Sequence, residues 1–554
     1  MNDITKSITY LNEYKRLKQA LTEGKTPMLA VGLAAIHKAH LAAALGLDTG
    51  RPVLVLTDDD NSANRFAADL RGFAEREVVQ LPSRELVMAD VVGVSRGYEQ
   101  RRLSALDELR EAQFAVASVQ AAAQRTMPPE ALTHAIVSLA VGEAAPLDEL
   151  AQSLTRAGYE RCAQVEGTGQ FSVRGGILDV FPPQAEHPYR VEFWDDEVDS
   201  ISTFDEGSQR RLEQCECLRC LPCMEAIPAL AKGGAAGLAK AVLSLTASRR
   251  KKQHADLQAN LERDAERLRE TGSLPAADKY LPLIYPEMAT AFDYLPENAI
   301  VIIEDTPRLR DAVRDFHARV ADDITALLER GEMPPNLGEY ALDFVGVSGV
   351  KRRILRLDSF LNNMPELTPQ HLENFVANQM NAYGGNLDMA AADIRSYIEQ
   401  GRAVAVVCGS ALRCRNMLDA LTDSGLKVQL SDLLPKGGCV NIMEGTLSAG
   451  FEYPDLGLVV MTEGQVLARR KKDKAKRSNR DHIKSYTDLT PGDLVVHENY
   501  GIGRFLCMTT MELDGTERDY IQIAFAGTDR LYVPATSLDL ISKYIGSGDN
   551  ERVR

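Results

Sequence analysis

Gly169-Gln-Phe-Ser-Val-Arg174-Gly-Gly-Ile-Leu-Asp-Val-Phe-Pro182 and, after a short connection, Tyr189-Arg-Val-Glu-Phe-Trp194-Asp-Asp-Glu-Val-Asp199 decide how this chain is read. In the first half Phe171 and Val173, then Ile177, Leu178 and Val180, flank Gly175-Gly176. That dipeptide suits a two-residue turn needing positive φ. Tyr189, Val191 and Phe193 then alternate with polar residues up to a turn at Asp195-Asp196-Glu197. The pattern predicts two successive hairpins.

Upstream, Ile8, Leu11, Tyr14, Leu17 and Leu21 share one helical face. Met28 to Val31 and Pro52 to Thr57 read as buried strands, each followed by a helix, and Phe114 to Val119 as a third. This alternation predicts a parallel sheet. Downstream, Ile300 to Ile303 reads as another buried strand and Arg308 to Arg330 as a helix. The sheet therefore resumes after the hairpins, which become an insertion between about Pro128 and Pro222. From Lys351 a further α/β unit is expected, with strands Val404 to Val407, Lys427 to Leu430 and Val459 to Thr462. RRKKDKAKRSNR, from Arg469 to Arg480, has no apolar period. It reads as a solvated linker, with a phosphate-facing strip as the minor alternative. Asp493 to Tyr544 form a last module rich in β alternation.

Bulk properties narrow the class. A chain of 554 residues exceeds one core. A net charge of −16 argues against broad coating of DNA, which needs a basic surface. The nine cysteines lack disulfide-scaffold spacing and no secretory leader is apparent, so a cytoplasmic location is expected. Met28 to Leu47 has membrane-like length, but His37, Lys38 and His40 in its middle favour a strand running into a buried helix.

Gly32-Leu-Ala-Ala-Ile-His37-Lys38-Ala39 follows a strand and enters a helix, the setting of a phosphate-binding loop. A working loop needs a glycine beside the lysine and a hydroxyl after it for magnesium; here those places hold His37 and Ala39. Glu304-Asp305, at the end of a later strand, is the candidate acidic partner. Gly32, Lys38, Glu304 and Asp305 thus outline a degenerate nucleotide site in which phosphoryl transfer lacks its parts. No catalytic residue is assigned.

The wording R-G-G-I-L-D-V-F-P followed by Y-R-V-E-F-W-D-D-E-V-D resembles the UvrA-binding domain shared by UvrB and the bacterial transcription-repair coupling factor (Mfd) family. The resemblance implies that Arg174, Arg190 and Trp194 contact UvrA; the family tends to have Phe at the last place. Arginine forks and large aromatics concentrate interface energy. Simultaneous loss of both arginines is expected to abolish UvrA capture with the fold intact. The decayed nucleotide site, and a segment Leu81 to Arg125 too short for UvrB's long aromatic hairpin, favour the coupling factors. The segment from Leu489 through His497, Gly501 and Gly503 to Pro534 resembles the RNA-polymerase-interacting module shared with the CarD family, an SH3- or Tudor-like barrel. It implies edge pairing of the strand through Thr510, Met511 and Glu512 with the polymerase β subunit. Met511 is either a contact or a barrel-core residue.

Two patterns point to chemistry without carrying it. Cys215, Cys217, Cys220 and Cys223 suggest a metal cluster, but Gln214 to Leu221 reads as a strand that sends Cys215 and Cys217 to one face and Cys220 to the other, so no metal site is expected. Arg249 to Lys252 open a charged helix and read as a solvated face, with DNA contact as the minority view.

The expected architecture is multidomain α/β: a degenerate helicase-like parallel-sheet domain (1–127 and 223–350) split by the inserted hairpin domain (128–222), an α/β spacer (351–468), a basic linker (469–487), a β-barrel module (488–546) and a tail (547–554). The resemblance implies a bacterial transcription-coupled repair adaptor whose partners are UvrA and RNA polymerase β, acting as a monomer with no membrane contact. Within this chain no cofactor is expected; ATP, magnesium and most DNA contact would belong to a translocase motor that this sequence does not contain. The alternatives are an active UvrB-like helicase and a stand-alone CarD-like transcription regulator.

Overall fold

The computed structural model describes residues 2–89, 97–245, 254–335, 337–380, 382–434, 438–467, 493–497, 501–513, 516–524, 530–534 and 541–543. The basic run 469–480, the linker, Arg249 to Lys252 and the tail lie outside these residues. The chain divides into two compact units, Met1–Leu467 and Ala468–Arg554.

Unit one begins with β1 (Met28–Val31), β2 (Val53–Thr57), β3 (Val79–Leu81) and β4 (Phe114–Ser118). After the insertion come β13 (Ile300–Glu304), β14 (Arg353–Leu357) and β15 (His371–Asn374). All seven join one parallel sheet in the order β15-β1-β14-β13-β2-β4-β3. Its central strands are apolar on both faces, as a sheet covered on both sides requires. Leu54, Leu56, Val301 and Ile303 enter one core, while Val53, Val55, Ile300 and Ile302 enter the other. The helix Ala35–Thr49 between β1 and β2 is buried along most of its length, which accounts for the long apolar run.

Two boundaries shift. The sheet continues past residue 350, because β14 and β15 pair with β13 and β1. The helix Pro129–Ala135 sends Leu132 and Ala135 into the core of the parallel-sheet body, so the insertion proper starts near residue 137.

The insertion comprises β5 (Val137–Ala140), β6 (Glu160–Arg161), β7 (Gln170–Arg174), β8 (Ile177–Val180), β9 (Tyr189–Trp194), β10 (Glu197–Phe204), β11 (Arg211–Cys215) and β12 (Cys217–Cys220). A six-stranded sheet runs β11-β10-β9-β8-β7-β6, and β5 pairs with β12. Both expected hairpins form: Arg174 faces Ile177 across Gly175-Gly176, and Trp194 faces Glu197 across Asp195-Asp196. Gly175 takes φ +61 and Asp195 φ +56 at the first turn positions. The inner face carries Phe171, Leu178, Val191 and Ile201 onto Leu150 and Leu154 of the helix Leu147–Arg156.

Beyond β15, a second sheet is built from β16 (Asn378–Gln379), β17 (Ala403–Cys408), β18 (Val428–Leu430), β19 (Val440–Glu444), β20 (Phe451–Tyr453) and β21 (Leu458–Thr462), in the order β16-β20-β21-β17-β19-β18. This sheet packs against the first body. Val407, Met443, Phe451, Tyr453 and Val460 share one core with Leu41, Phe66 and Phe73 of the first body.

Unit two shows β22 (Leu494–His497), β23 (Gly501–Leu513), β24 (Thr516–Ala524), β25 (Arg530–Pro534) and β26 (Ile541–Lys543). They form an antiparallel sheet in the order β25-β24-β23-β22-β26, with Val495, Phe505 and Ile523 buried.

Candidate partner-binding surface

Strand alternation settles which side chains share a face of the inserted sheet. The register aligns Ser172, Asp179, Arg190 and Ser202 across β7 to β10, and Arg174, Ile177 and Glu192 in the next row. Trp194 is two residues beyond Glu192 on the same strand. Arg174, Arg190 and Trp194 therefore lie on one face, opposite the packed core.

The two arginines meet on a residue the sequence reading passed over. Asp179 is 1 % exposed, yet it accepts Arg190 Nε on Oδ1 at 2.7 Å and Arg190 Nη2 on Oδ2 at 2.9 Å. Arg174 Nη2 donates to the same Oδ2 at 2.5 Å. Arg190 also lies 4.5 Å over the Phe204 ring and donates to the Gln209 side chain at 3.1 Å. Trp194 is 82 % exposed, the largest exposure among the large hydrophobics of the described residues. The signal for Asp179 was present in sequence, as a carboxylate on the polar phase of β8. Its two partners were not, because β7 and β9 reach it only through sheet pairing. Glu192 accepts from Ser200 Oγ at 2.9 Å and pairs with Arg211, adding charge to this face.

The degenerate nucleotide residues come together elsewhere. A cavity of about 310 Å³ is lined by Lys38, Glu304, Asp305, Arg65, Arg308 and Ser448, among others. Lys38 and Glu304 are largely buried, with Nζ 3.7 Å from Oε1. Burial holds the Glu304 carboxyl above its usual range, against the pull of Lys38. Gly32 takes φ +82, and a Cβ there would stand 2.1 Å from the Phe375 carbonyl oxygen. That glycine is fixed by packing at the β15 end, whatever else the loop does. Asp305 has φ +58 and makes no side-chain cap for the helix Thr306–Glu329. Asp358 does that work, accepting from Thr306 N and Oγ1 at 2.7 Å each while bound to Arg356 at 2.6 Å. Mg-ATP does not fit this donor set: Ala39 offers no hydroxyl, and the lysine already faces an internal carboxylate.

His37 replaces the loop glycine, and its ring is fully buried edge-on to Phe451 and Tyr453. His40 bonds the Thr5 carbonyl at 3.0 Å and the Tyr453 hydroxyl at 3.2 Å, stacked on Phe73. Burial pushes the two imidazoles down to about 4 and about 3 respectively. The loop position thus serves the contact between the two sheets. Ser448 reinforces that contact, donating from N and Oγ to Asp69 at 2.7 and 2.6 Å.

Of Thr510, Met511 and Glu512, the backbone alone is described. All three lie in β23, registered with Asp519, Arg518 and Glu517 of β24. On its other side β23 pairs with β22 only through Gly501 to Arg504. Phe505 N still donates to the Asp493 carbonyl at 2.8 Å. Among the described residues, positions 506–513 therefore present an unpaired strand edge. The four cysteines separate: Cys215 pairs beside Ile201, Cys217 beside Ala140, and Cys220 and Cys223 are buried. Among the described residues no group of three or more His, Cys, Asp or Glu could hold a metal ion.

Comparison with known protein families places both β surfaces. Residues 137–225 match the UvrB interaction domain, and residues 489–545 match the CarD-like/TRCF RID domain. Fold and site thus define a multidomain α/β protein that carries a UvrB interaction domain together with a CarD-like/TRCF RID domain. The whole chain is similar to transcription-repair-coupling factors: 32 % identical to that of Bacillus subtilis (strain 168) and 26 % identical to that of Staphylococcus aureus (strain USA300). The alignments cover 100 % and 99 % of this chain but 48 % of each relative. The chain is a relative of the transcription-repair-coupling factors that spans about half their length.

Proposed function

We propose that this chain couples transcription to nucleotide excision repair by binding alone. The outer face of the inserted sheet captures UvrA, and the open edge of β23 adds a strand to the RNA polymerase β subunit. The observation that carries the reading is the convergence of Arg174, Arg190 and Trp194 on one face of the segment matching the UvrB interaction domain. The unpaired edge at 506–513 supports the second contact, because backbone pairing supplies affinity while alternate side chains supply specificity. On this reading unit two closes as an SH3-like barrel.

No step of this coupling draws on ATP. Lys38 faces Glu304, Ala39 stands where magnesium needs a hydroxyl, and His37 is absorbed into packing between the sheets. The chain works as a monomer in the bacterial cytoplasm; among its described residues no helix is long and apolar enough to cross a membrane.

Parallel pull-downs with purified UvrA and with polymerase β test the reading. Both should be captured, and Met511→Arg should weaken the second alone. Capture of polymerase without UvrA would favour a CarD-like regulator. DNA-stimulated ATP hydrolysis by this chain would favour a helicase.

A further inference from the structure

We infer that Asp179 is the positioning residue of the capture face, that Arg190 is the strut pairing its charge, and that Arg174 with Trp194 makes the contact. The inference rests on the UvrA reading of this face and divides labour among residues that the resemblance treats alike.

Donor accounting separates the two arginines. A guanidinium has five N–H groups. Arg190 directs four bonds inward: Nε and Nη2 to Asp179, Nη2 again to Gln209 Oε1, and Nη1 to the Gln209 carbonyl at 3.5 Å. The flat face of its guanidinium lies 4.5 Å over the Phe204 ring, and its side chain is 15 % exposed. Gln209 holds this position in a left-handed conformation, φ +60, which a side chain rarely adopts. Little of Arg190 is left for a partner.

Arg174 is the reverse case. Its side chain is 50 % exposed, and one Nη2 bond ties it to Asp179. Among the described residues its Nε and Nη1 donors have no partner and Nη2 keeps a second N–H, so one two-donor edge built on Nη2 is left as a fork for a carboxylate. Holding that fork by one bond removes rotamer freedom before binding, which is how preorganisation raises affinity. Two guanidiniums on one buried carboxylate leave one positive charge at the face. The group it fits is a carboxylate of the partner set beside an apolar patch for Trp194.

The test measures affinity of the full chain for purified UvrA, with melting temperature alongside. Arg174→Lys keeps charge but loses the fork, and should bind about 10-fold more weakly. Arg190→Lys keeps the counter-charge but gives up the two-point pairing and the Phe204 stack, so it should cost stability rather than affinity and bind within about 3-fold of wild type. Asp179→Asn should weaken binding about 10-fold in the wild-type background and by no more than about 3-fold in Arg174→Ala, because it acts through Arg174. Equal losses in the two lysine variants, both folded at the assay temperature, would overturn the inference, as would full additivity of Asp179→Asn with Arg174→Ala. If Asp179→Asn does not fold, the lysine pair decides. Wild-type affinity in both Arg174→Ala and Trp194→Ala would remove the UvrA reading itself, and the inference with it.

Discussion

Removing Arg190 should loosen the inserted domain before it affects anything else. Asp179 is buried, and Arg190 supplies two of the three charged hydrogen bonds that satisfy it. Deleting one partner of a buried ion pair costs about 3–5 kcal/mol, because a carboxylate is left without its counter-charge. The surviving Arg174 bond, worth about 1.5 kcal/mol, offsets part of that. Arg190→Ala should therefore cost about 1.5–3.5 kcal/mol, or roughly a 10- to 300-fold loss in protection of the domain's strands. Hydrogen exchange read on peptides spanning 170–204 measures this directly, with peptides from β1 and β2 as an internal control. Exchange within about 3-fold of wild type across 170–204 would refute the reasoning. Arg174→Ala with Arg190→Ala should cost the full 3–5 kcal/mol, since no cation then reaches Asp179. A domain loosened to that extent would mean that loss of UvrA capture in the double variant does not by itself isolate the interface.

Trp194→Ala is the cleaner probe. At 82 % exposure its loss should leave the melting temperature unchanged while weakening UvrA binding by about 2 kcal/mol, seen by titration. Gly32→Ala combines a left-handed backbone with a backbone clash against Phe375, and should destabilise unit one by more than about 2 kcal/mol in calorimetry, with Gly24→Ala, which meets nothing within 4 Å, as the lesser comparison. Acid should weaken the contact between the two sheets. His37 and His40 titrate near 4 and 3 when folded but near 6.5 when unfolded, so the unfolded chain binds more protons between roughly pH 6.5 and 4. Stability is intact above that window and falls as pH drops through it. Asp69, raised by burial, acts in the opposite sense. Urea denaturation at about pH 7 and pH 4.5 should show a smaller acid loss in His37→Phe than in wild type.

What could be read from the sequence was local. The alternation around Gly175-Gly176 and that from Tyr189 to Asp195-Asp196 gave the two hairpins, and the runs Val53 to Thr57 and Ile300 to Ile303 gave buried strands of a sheet that resumes after an insertion. Sheet membership was harder. Arg353 to Leu357 looks like the opening strand of a new unit, yet it fills the place between β1 and β13. Its partners lie more than three hundred positions upstream in one case, beyond any periodicity. For the same reason the joining of the two bodies through Asp69–Ser448 and through His37, His40 and Tyr453 left no local trace. At the capture face the three contact candidates were legible from wording. The carboxylate organising two of them was not, because its role exists only once β7, β8 and β9 lie side by side.

The most direct measurement is a bridging assay: immobilised polymerase β, this chain, and labelled UvrA, with the chain as the sole link. Wild-type chain should retain UvrA on the polymerase surface, and Trp194→Ala should release UvrA while the chain itself stays bound. UvrA held equally well by that variant, or failure of the wild-type chain to carry both proteins at once, would contradict the coupling role assigned to these two β surfaces.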